Sequence, residues 1–328
     1  MTSIVNETLE LAEVDNVEIL SLVDNSVDFL STQSKAEVQT FRQWTNKKYG
    51  QKWTNTHNKL PVAEHGFSIL VRLFRGEKFT GVLFDTGNSS NGITENAKRM
   101  RVDLSEVEYV ILSHGHYDHT GGLLSALKTI NKPNIRLILH EDMFKTRGLA
   151  SVDGKVKVYP KFPPKRRLTK SNIVETKKPK LIADAMALVT GEIPRQTSYE
   201  KGVLNHMALV EGSWQPDPWI WDDRAIVIKV KGKGLVILSG CAHSGIINTI
   251  SYAKTLTGVS EVYAIIGGFH LAGAEFENRI QQTVKELKKA APKLIAPSHC
   301  TGWRAICAIA EALKEEFVWN SVGNLYRI

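Results

Sequence analysis

Apolar residues in this chain come in short dense runs separated by polar stretches, and the runs have two different periods. FSILVRLF (67–74) and GVLFDTG (81–87) are rich in β-branched and aromatic residues, and Arg75, Gly76 and Glu77 between them predict a hairpin. An earlier strand is expected at 18–22, followed by turn chemistry at Asp24 and Asn25. VEYVILS (107–113) reads as a buried strand, and RLILH, RAIVIKVK, GLVILSG, VYAIIGG and KLIAPS repeat its character. Residues 92–101, 122–130, 246–256, 278–290 and 303–316 carry the spacing of amphipathic helices. Strands and helices therefore interleave along most of the chain, which predicts an α/β (α+β) architecture.

Two stretches interrupt the pattern. Residues 31–60 are polar yet hold two Trp and one Tyr, the composition of an ordered excursion. Residues 151–185 are rich in Pro and in cations, and read as an exposed loop or flap without a core of its own. The expected organisation is one domain over 1–328 with insertions at about 31–60 and 151–185.

Charge sharpens this picture. The 328 residues carry a formal +8, but ten Lys or Arg and one acid, Glu175, fall between Lys155 and Lys180, so that segment supplies +9 and the rest is near neutral. Such a run is most commonly a solvated charged surface; as a flap over a site it suits a small anionic ligand better than nucleic acid, because it has little aromatic interleaving beyond Tyr159 and Phe162. Three cysteines, Cys241, Cys300 and Cys307, are too few for a disulfide framework and point to a reducing, cytoplasmic setting. The acidic start MTSIVNETLELAEVDN is unlike a signal peptide, and no apolar run reaches the ~20 residues of a membrane span.

The candidate chemistry lies at strand ends. YVILSHGHYDH, LVILSGCAH, VYAIIGGFH and KLIAPSHC each deliver histidine within a few residues of a buried run, and six of the ten histidines fall there: His114, His116, His119, His243, His270 and His299. Loops at strand ends aim side chains from a rigid base. His114 and His116, two residues apart in an extended turn, point to one side and are placed to grip one metal ion, with Asp118 and His119 close by for a second. Imidazole and carboxylate suit Zn²⁺, and also Mn or Fe.

With Asp85 upstream, His114-Gly-His116-Tyr-Asp118-His119 resembles the His-x-His-x-Asp-His signature of the metallo-β-lactamase-fold superfamily. EHGFSILV (64–71), FDTGNSSNGITENA (84–97), TGEIPR (190–195), SGCAHSGIINTI (239–250), GGFHLAG (267–273) and PSHCTG (297–302) resemble one branch of it, the 7,8-dihydropterin-6-yl-methyl-4-(β-D-ribofuranosyl)aminobenzene 5′-phosphate synthases. The resemblance implies a four-layer αββα sandwich with one or two divalent ions at an edge. It implies His114, His116 and a later histidine for the first ion, and Asp118, His119 and His299 for the second. The superfamily's bridging Asp is replaced by Cys241, which either ligates as thiolate or is inert while His243 completes the first site.

Other residues are assigned from their neighbourhoods. Asp85 orients a metal-bound imidazole or the motif loop. Glu64 and His65 rim the pocket and contact substrate. Glu192 and Arg195 hold an anionic substrate, the alternative for Arg195 being an exposed ion pair. His270 either contacts an oxyanion or phosphate, as a catalytic residue beside Asp118, or is a packed core histidine. His57, His140 and His206 read as solvated or packed. The activity expected is metal-dependent and directed at an anionic, phosphate-bearing small molecule. One form is hydrolysis by metal-bound hydroxide with Asp118 orienting the nucleophile; the other, implied by the resemblance, is a dihydropterin-type synthase that displaces pyrophosphate. A nuclease of the same fold and a non-catalytic metal-bound sensor are the alternatives.

Overall fold

The computed structural model describes residues 8–33, 35–56 and 59–328, so His57 lies outside the described residues. Ser68–Arg75 and Lys78–Phe84 form the expected antiparallel hairpin, with Leu70 opposite Leu83. This hairpin is the middle of an eight-stranded sheet. Its order is Ser171–Glu175, Ile135–Leu139, Val107–Ile111, Lys78–Phe84, Ser68–Arg75, Asn16–Val23, Leu325–Arg327 and Val38–Gln39. The second sheet, of seven strands, runs Lys180–Ile182, Ala187–Val189, Ala225–Val230, Gly234–Ser239, Val262–Gly268 and Leu294–Ser298, with Glu13–Val14 also paired to Ala225–Val230.

The strands read as continuous apolar runs because both of their faces are covered. Val17, Ile19, Ile69 and Val71 from one sheet meet Ile226, Ile228, Val236 and Leu238 from the other in a core between the sheets. The alternate residues face outward: Leu20, Leu22, Leu70 and Leu83 pack on Ile93, Ala97, Leu123 and Ala126 of the helices Gly92–Met100 and Leu123–Ile130. Across the molecule Val227, Leu235 and Ile237 pack on the helices Ile246–Thr257, Ile280–Ala290 and Trp303–Ala312. The result is four layers, helix on sheet on sheet on helix, as expected. Each fully buried aliphatic side chain contributes roughly 1.5–3 kcal/mol, so the side-chain period of two is what fixes which face each strand presents.

The interrupting stretches are structured in different ways. In 31–60, Thr40 and Gln43 form a reciprocal cap that starts the helix Phe41–Tyr49, and Trp44 Nε1 donates to Gly323 O at 2.8 Å, tying the excursion to the C-terminal strand region. Residues 151–180 are mostly exposed, as expected, but the stretch is corrected from a loop to one that carries short edge strands. Ser171–Glu175 lies parallel to Ile135–Leu139 as an edge strand of the larger sheet, and Lys180–Ile182 is an edge strand of the other. Val156–Val158 joins an unforeseen four-stranded sheet with Thr146–Ala150, His206–Val210 and Ser213–Pro216. Among the described residues no helix is long and apolar enough to cross a membrane, and Cys241, Cys300 and Cys307 are free thiols.

Strand ends come level within each sheet. Phe84 pairs with Ile111, Ser239 with Gly267, and Gly268 with Ser298. Just past these ends, Asp85, Ala242, His270 and His299 take φ values of 60°, 51°, 45° and 49°. Left-handed backbone at a non-glycine residue costs of order 1–3 kcal/mol, and here it bends the chain sharply at the edge where the histidines collect.

Candidate metal centre

The loop after Val107–Ile111 carries His114 and His116 into the short helix Tyr117–Thr120; His114, His116 and His119 are buried, and Asp118 is partly exposed in a cavity wall. His114 Nε2 lies 3.0 Å from His116 Nδ1 and 3.2 Å from His243 Nε2. A second group adjoins it: Asp118 Oδ2 is 3.3 Å from His299 Nε2 and 4.0 Å from His119 Nε2. Cys241 Sγ stands between the two, 3.0 Å from His119 Nε2. Its sulfur lies within 4.8 Å of the donor atoms of His114 and His243 on one side and of His119 and His299 on the other.

The opposite edges of three of these rings, His114, His119 and His299, are pinned, which fixes where their lone pairs point. Ser113 Oγ donates to Asp85 Oδ2 (2.7 Å) and so accepts from His114 Nδ1 (2.9 Å), leaving His114 Nε2 bare. His119 Nδ1 donates to the same Asp85 oxygen at 2.7 Å, and Asp85 Oδ1 accepts from the Ser113 amide at 2.7 Å. His299 Nδ1 donates to Asn25 Oδ1 at 3.0 Å; its Nε2 is buried and makes no hydrogen bond. His114 Nε2 and His299 Nε2 are thus bare, buried acceptors, each within 3.3 Å of a further donor atom of the cluster, an arrangement that a cation would satisfy. The donor set of imidazole, carboxylate and one sulfur could hold divalent metal: His114 and His243 with His116 beside them would take one ion, His119 and His299 with Asp118 beside them another, and Cys241 lies within reach of both.

Electrostatics agree with this division. Burial, reinforced by neighbouring imidazoles and, for His114 and His116, by Arg147, holds His114, His116 and His243 well below the ordinary imidazole range, so these rings are neutral donors. Burial works the same way on His119, but Asp85 and Asp118 outweigh it and lift that ring to about 9. Burial also opposes ionisation of Asp118, yet His119, His299 and His116 hold its carboxyl well below the usual carboxylate range. The Cys241 thiol is pushed up by burial; a cation on the sulfur displaces that proton.

A profile of the metallo-beta-lactamase superfamily matches residues 63–256. The chain belongs to the metallo-beta-lactamase superfamily. Within it, the chain is 32% identical over 276 residues to the 7,8-dihydropterin-6-methyl-4-(beta-D-ribofuranosyl)-aminobenzene-5'-phosphate synthase of Methanocaldococcus jannaschii, covering 81% of this chain and 90% of that one. An uncharacterized protein of the same organism is 30% identical over 278 residues, 84% of this chain and 97% of its own. Among solved structures, Tm1679, a metal-dependent hydrolase of the beta-lactamase superfamily, superposes with a TM-score of 0.70 at 22% identity, covering 95% and 98% of the two chains.

Against this superfamily frame, the residues singled out in the sequence separate into two sets. His65, His116, Asp118, Cys241, His243, His270 and His299 all line one cavity of about 400 Å³, with His114 and His119 packed behind them. His65 is exposed at the rim, its Nε2 3.5 Å from Asp118 Oδ2. His270 stacks 4.2 Å from the His243 ring and 4.6 Å from Phe276. Glu64, Glu192 and Arg195, expected to contact substrate, are outside the cavity wall. Glu64 accepts from the amides of Asn88 (2.9 Å) and Ser89 (3.1 Å), holding the loop after Asp85. Glu192 Oε1 is 3.1 Å from His140 Nε2, and Arg195 donates to the carbonyls of Ile193 and Trp219 with its guanidinium over Trp221.

Other wall residues gave no signal in the sequence. Tyr159 is the one residue of the basic segment in the lining, and no Lys or Arg is found there among the described residues. The flap expected to draw anions thus presents an aromatic ring, 5.7 Å from that of Tyr117. Asn205, with a buried Oδ1 that lacks a partner, and His206, 2.9 Å from His116, complete that side. HMALV following Asn205 looks like any strand, so only the pairing of His206 with Leu149 brings it to the site.

Proposed function

We propose that this chain is a metal-dependent enzyme whose cavity takes a flat, ring-bearing substrate with an anionic group, and that it follows the synthase chemistry of its M. jannaschii relative. The carrying observation is a metal-donor cluster that opens into a cavity walled by Tyr117, Tyr159 and Phe276 and free, among the described residues, of Lys and Arg. A divalent cation, most simply Zn²⁺ with Mn or Fe as alternatives, supplies the positive charge that binds an anionic leaving group and steadies it as it departs.

The chain's own groups do the rest. Asp118, kept ionised, faces the cavity between His65 and His299, where it orients a polar group of the substrate. The aromatic walls stack a planar ring and exclude water from the reacting carbon. In the synthase reading a pyrophosphate leaves a dihydropterin methylene while an aminobenzene ribotide attacks. Hydrolysis of a phosphoester or related bond is the competing reading, favoured by the exposure of Asp118 to the cavity.

The test is to incubate metal-replete protein with a dihydropterin methyl pyrophosphate, with and without the aminobenzene ribotide phosphate, and to analyse products by mass spectrometry. Coupled product supports the synthase. Pyrophosphate or phosphate release independent of the ribotide supports hydrolysis, and no consumption of substrate by protein that His116→Ala also leaves inert rejects both.

A further inference from the structure

The four-stranded sheet reaches the metal-donor cluster through one imidazole. His206 opens the strand His206–Val210 and is fully buried. Its Nδ1 lies 2.9 Å from the carbonyl oxygen of Asp217, across the hairpin from it. A carbonyl only accepts, so Nδ1 carries a hydrogen, and with that one hydrogen on the ring Nε2 is left as an acceptor. That Nε2 sits 2.9 Å from His116 Nε2. His116 must then donate from Nε2, and its remaining lone pair is on Nδ1, the atom 3.0 Å from His114 Nε2. The proton order is imposed from the Asp217 carbonyl inward, through two rings.

We infer that His206 is a positioning residue that sets the tautomer of His116 and so presents His116 Nδ1 to the first metal ion. This rests on the reading of the cluster as a metal centre. The neighbouring contacts keep the relay in register. Asp217 N donates to His206 O at 2.9 Å, closing the hairpin. The Asp217 carboxylate, 3.5 Å from His206 Nδ1, accepts instead from Arg147 Nε at 3.0 Å. Arg147 belongs to the strand beside His206–Val210, and its guanidinium engages Asp222, whose Oδ2 accepts from the Gly115 amide at 2.8 Å. Both flanks of His116 are thereby tied to the added sheet. Metal-bound histidines commonly hand their second nitrogen to a carboxylate or backbone carbonyl; here a second imidazole is interposed, and it comes from a part of the chain outside the four layers.

Two variants separate this role from packing. His206→Gln keeps a side-chain acceptor for His116 Nε2–H, whereas His206→Leu removes it at similar volume. Long-range ¹H–¹⁵N spectra of the histidine rings read the His116 tautomer in metal-free protein, and competition with a chromophoric chelator reads zinc affinity. The expected result is a His116 ring protonated on Nε2 in wild type and in His206→Gln. In His206→Leu the Nδ1–H form appears and zinc affinity falls ~10–100-fold, while His206→Gln stays within a few-fold of wild type. An unchanged tautomer and affinity in His206→Leu overturns the inference. Equal loss of affinity in folded His206→Gln also overturns it, since His206 is then a ligand in its own right. If wild type binds no divalent ion the metal reading fails separately, and the tautomer spectra still decide the relay.

Discussion

Arg147 and Asp222 form a doubled ion pair, Nη1 to Oδ2 at 2.7 Å and Nη2 to Oδ1 at 2.6 Å, and the same Asp222 Oδ2 holds the Gly115 amide between the two motif histidines. Both side chains are buried. Removing one partner of such a pair strands the other, which costs about 3–5 kcal/mol.

Asp222→Asn is therefore expected to lose stability of that order in urea unfolding at pH 7. Burial raises the Asp222 carboxyl, but Arg147 outweighs it and holds the group well below the ordinary range. A depressed carboxyl stabilises the fold above its unfolded value, near 3.9, and that contribution disappears as pH falls through the folded value. The gap between wild type and Asp222→Asn should be constant from pH 5 to 8 and narrow only under more acid conditions; a gap that shrinks between pH 8 and 6 contradicts the assignment.

Cys241 is the donor common to both halves of the cluster. Cys241→Ala should cut the bound zinc of protein purified without chelator from about two equivalents to about one, and Cys241→Asp should restore it, both read by elemental analysis. Equal zinc content in wild type and Cys241→Ala would leave the sulfur a bystander.

Glu64 works on a loop. It accepts from two consecutive amides and from the Ser89 hydroxyl. Glu64→Ala is expected to destabilise the fold by roughly 1–3 kcal/mol through unsatisfied donors, with zinc content and KM close to wild type. A KM that rises tenfold in stable protein would return Glu64 to the substrate.

Tyr159 should matter to ligand binding more than any cation of its segment. An aromatic contact of roughly 0.5–1.5 kcal/mol corresponds to KM raised a few-fold in Tyr159→Ala with kcat little changed. Lys161→Ala, from the same segment, should behave as wild type in the same assay.

Much of this was readable in the sequence for a definite reason. A buried strand that ends in Gly, Ser or Asp and then offers histidine has few structural uses, so 111–119, 239–243, 267–270 and 298–299 announced both their element and their chemistry. His206 was illegible because its importance comes from pairing with residues nearly sixty positions earlier, which local pattern does not encode. Glu192 and Arg195 also follow an apolar strand, Ala187–Val189, but that strand is two places out from Gly234–Ser239 in the sheet, and His140, Trp219 and Trp221 absorb them locally. The basic segment misled because its strands lie at sheet edges, where Lys is tolerated and alternation is weak.

The cavity lining contains Asp118 and Glu275 but, among the described residues, no lysine or arginine. The described lining itself thus offers no lysine or arginine to the class of ligand proposed for it. On the proposed reading loading would be sequential, the ions entering first, drawn by carboxylate and imidazole, and the anion following them. Stripping the metal would then close the site to substrate as well as to turnover, and bound anion would in its turn slow the escape of metal.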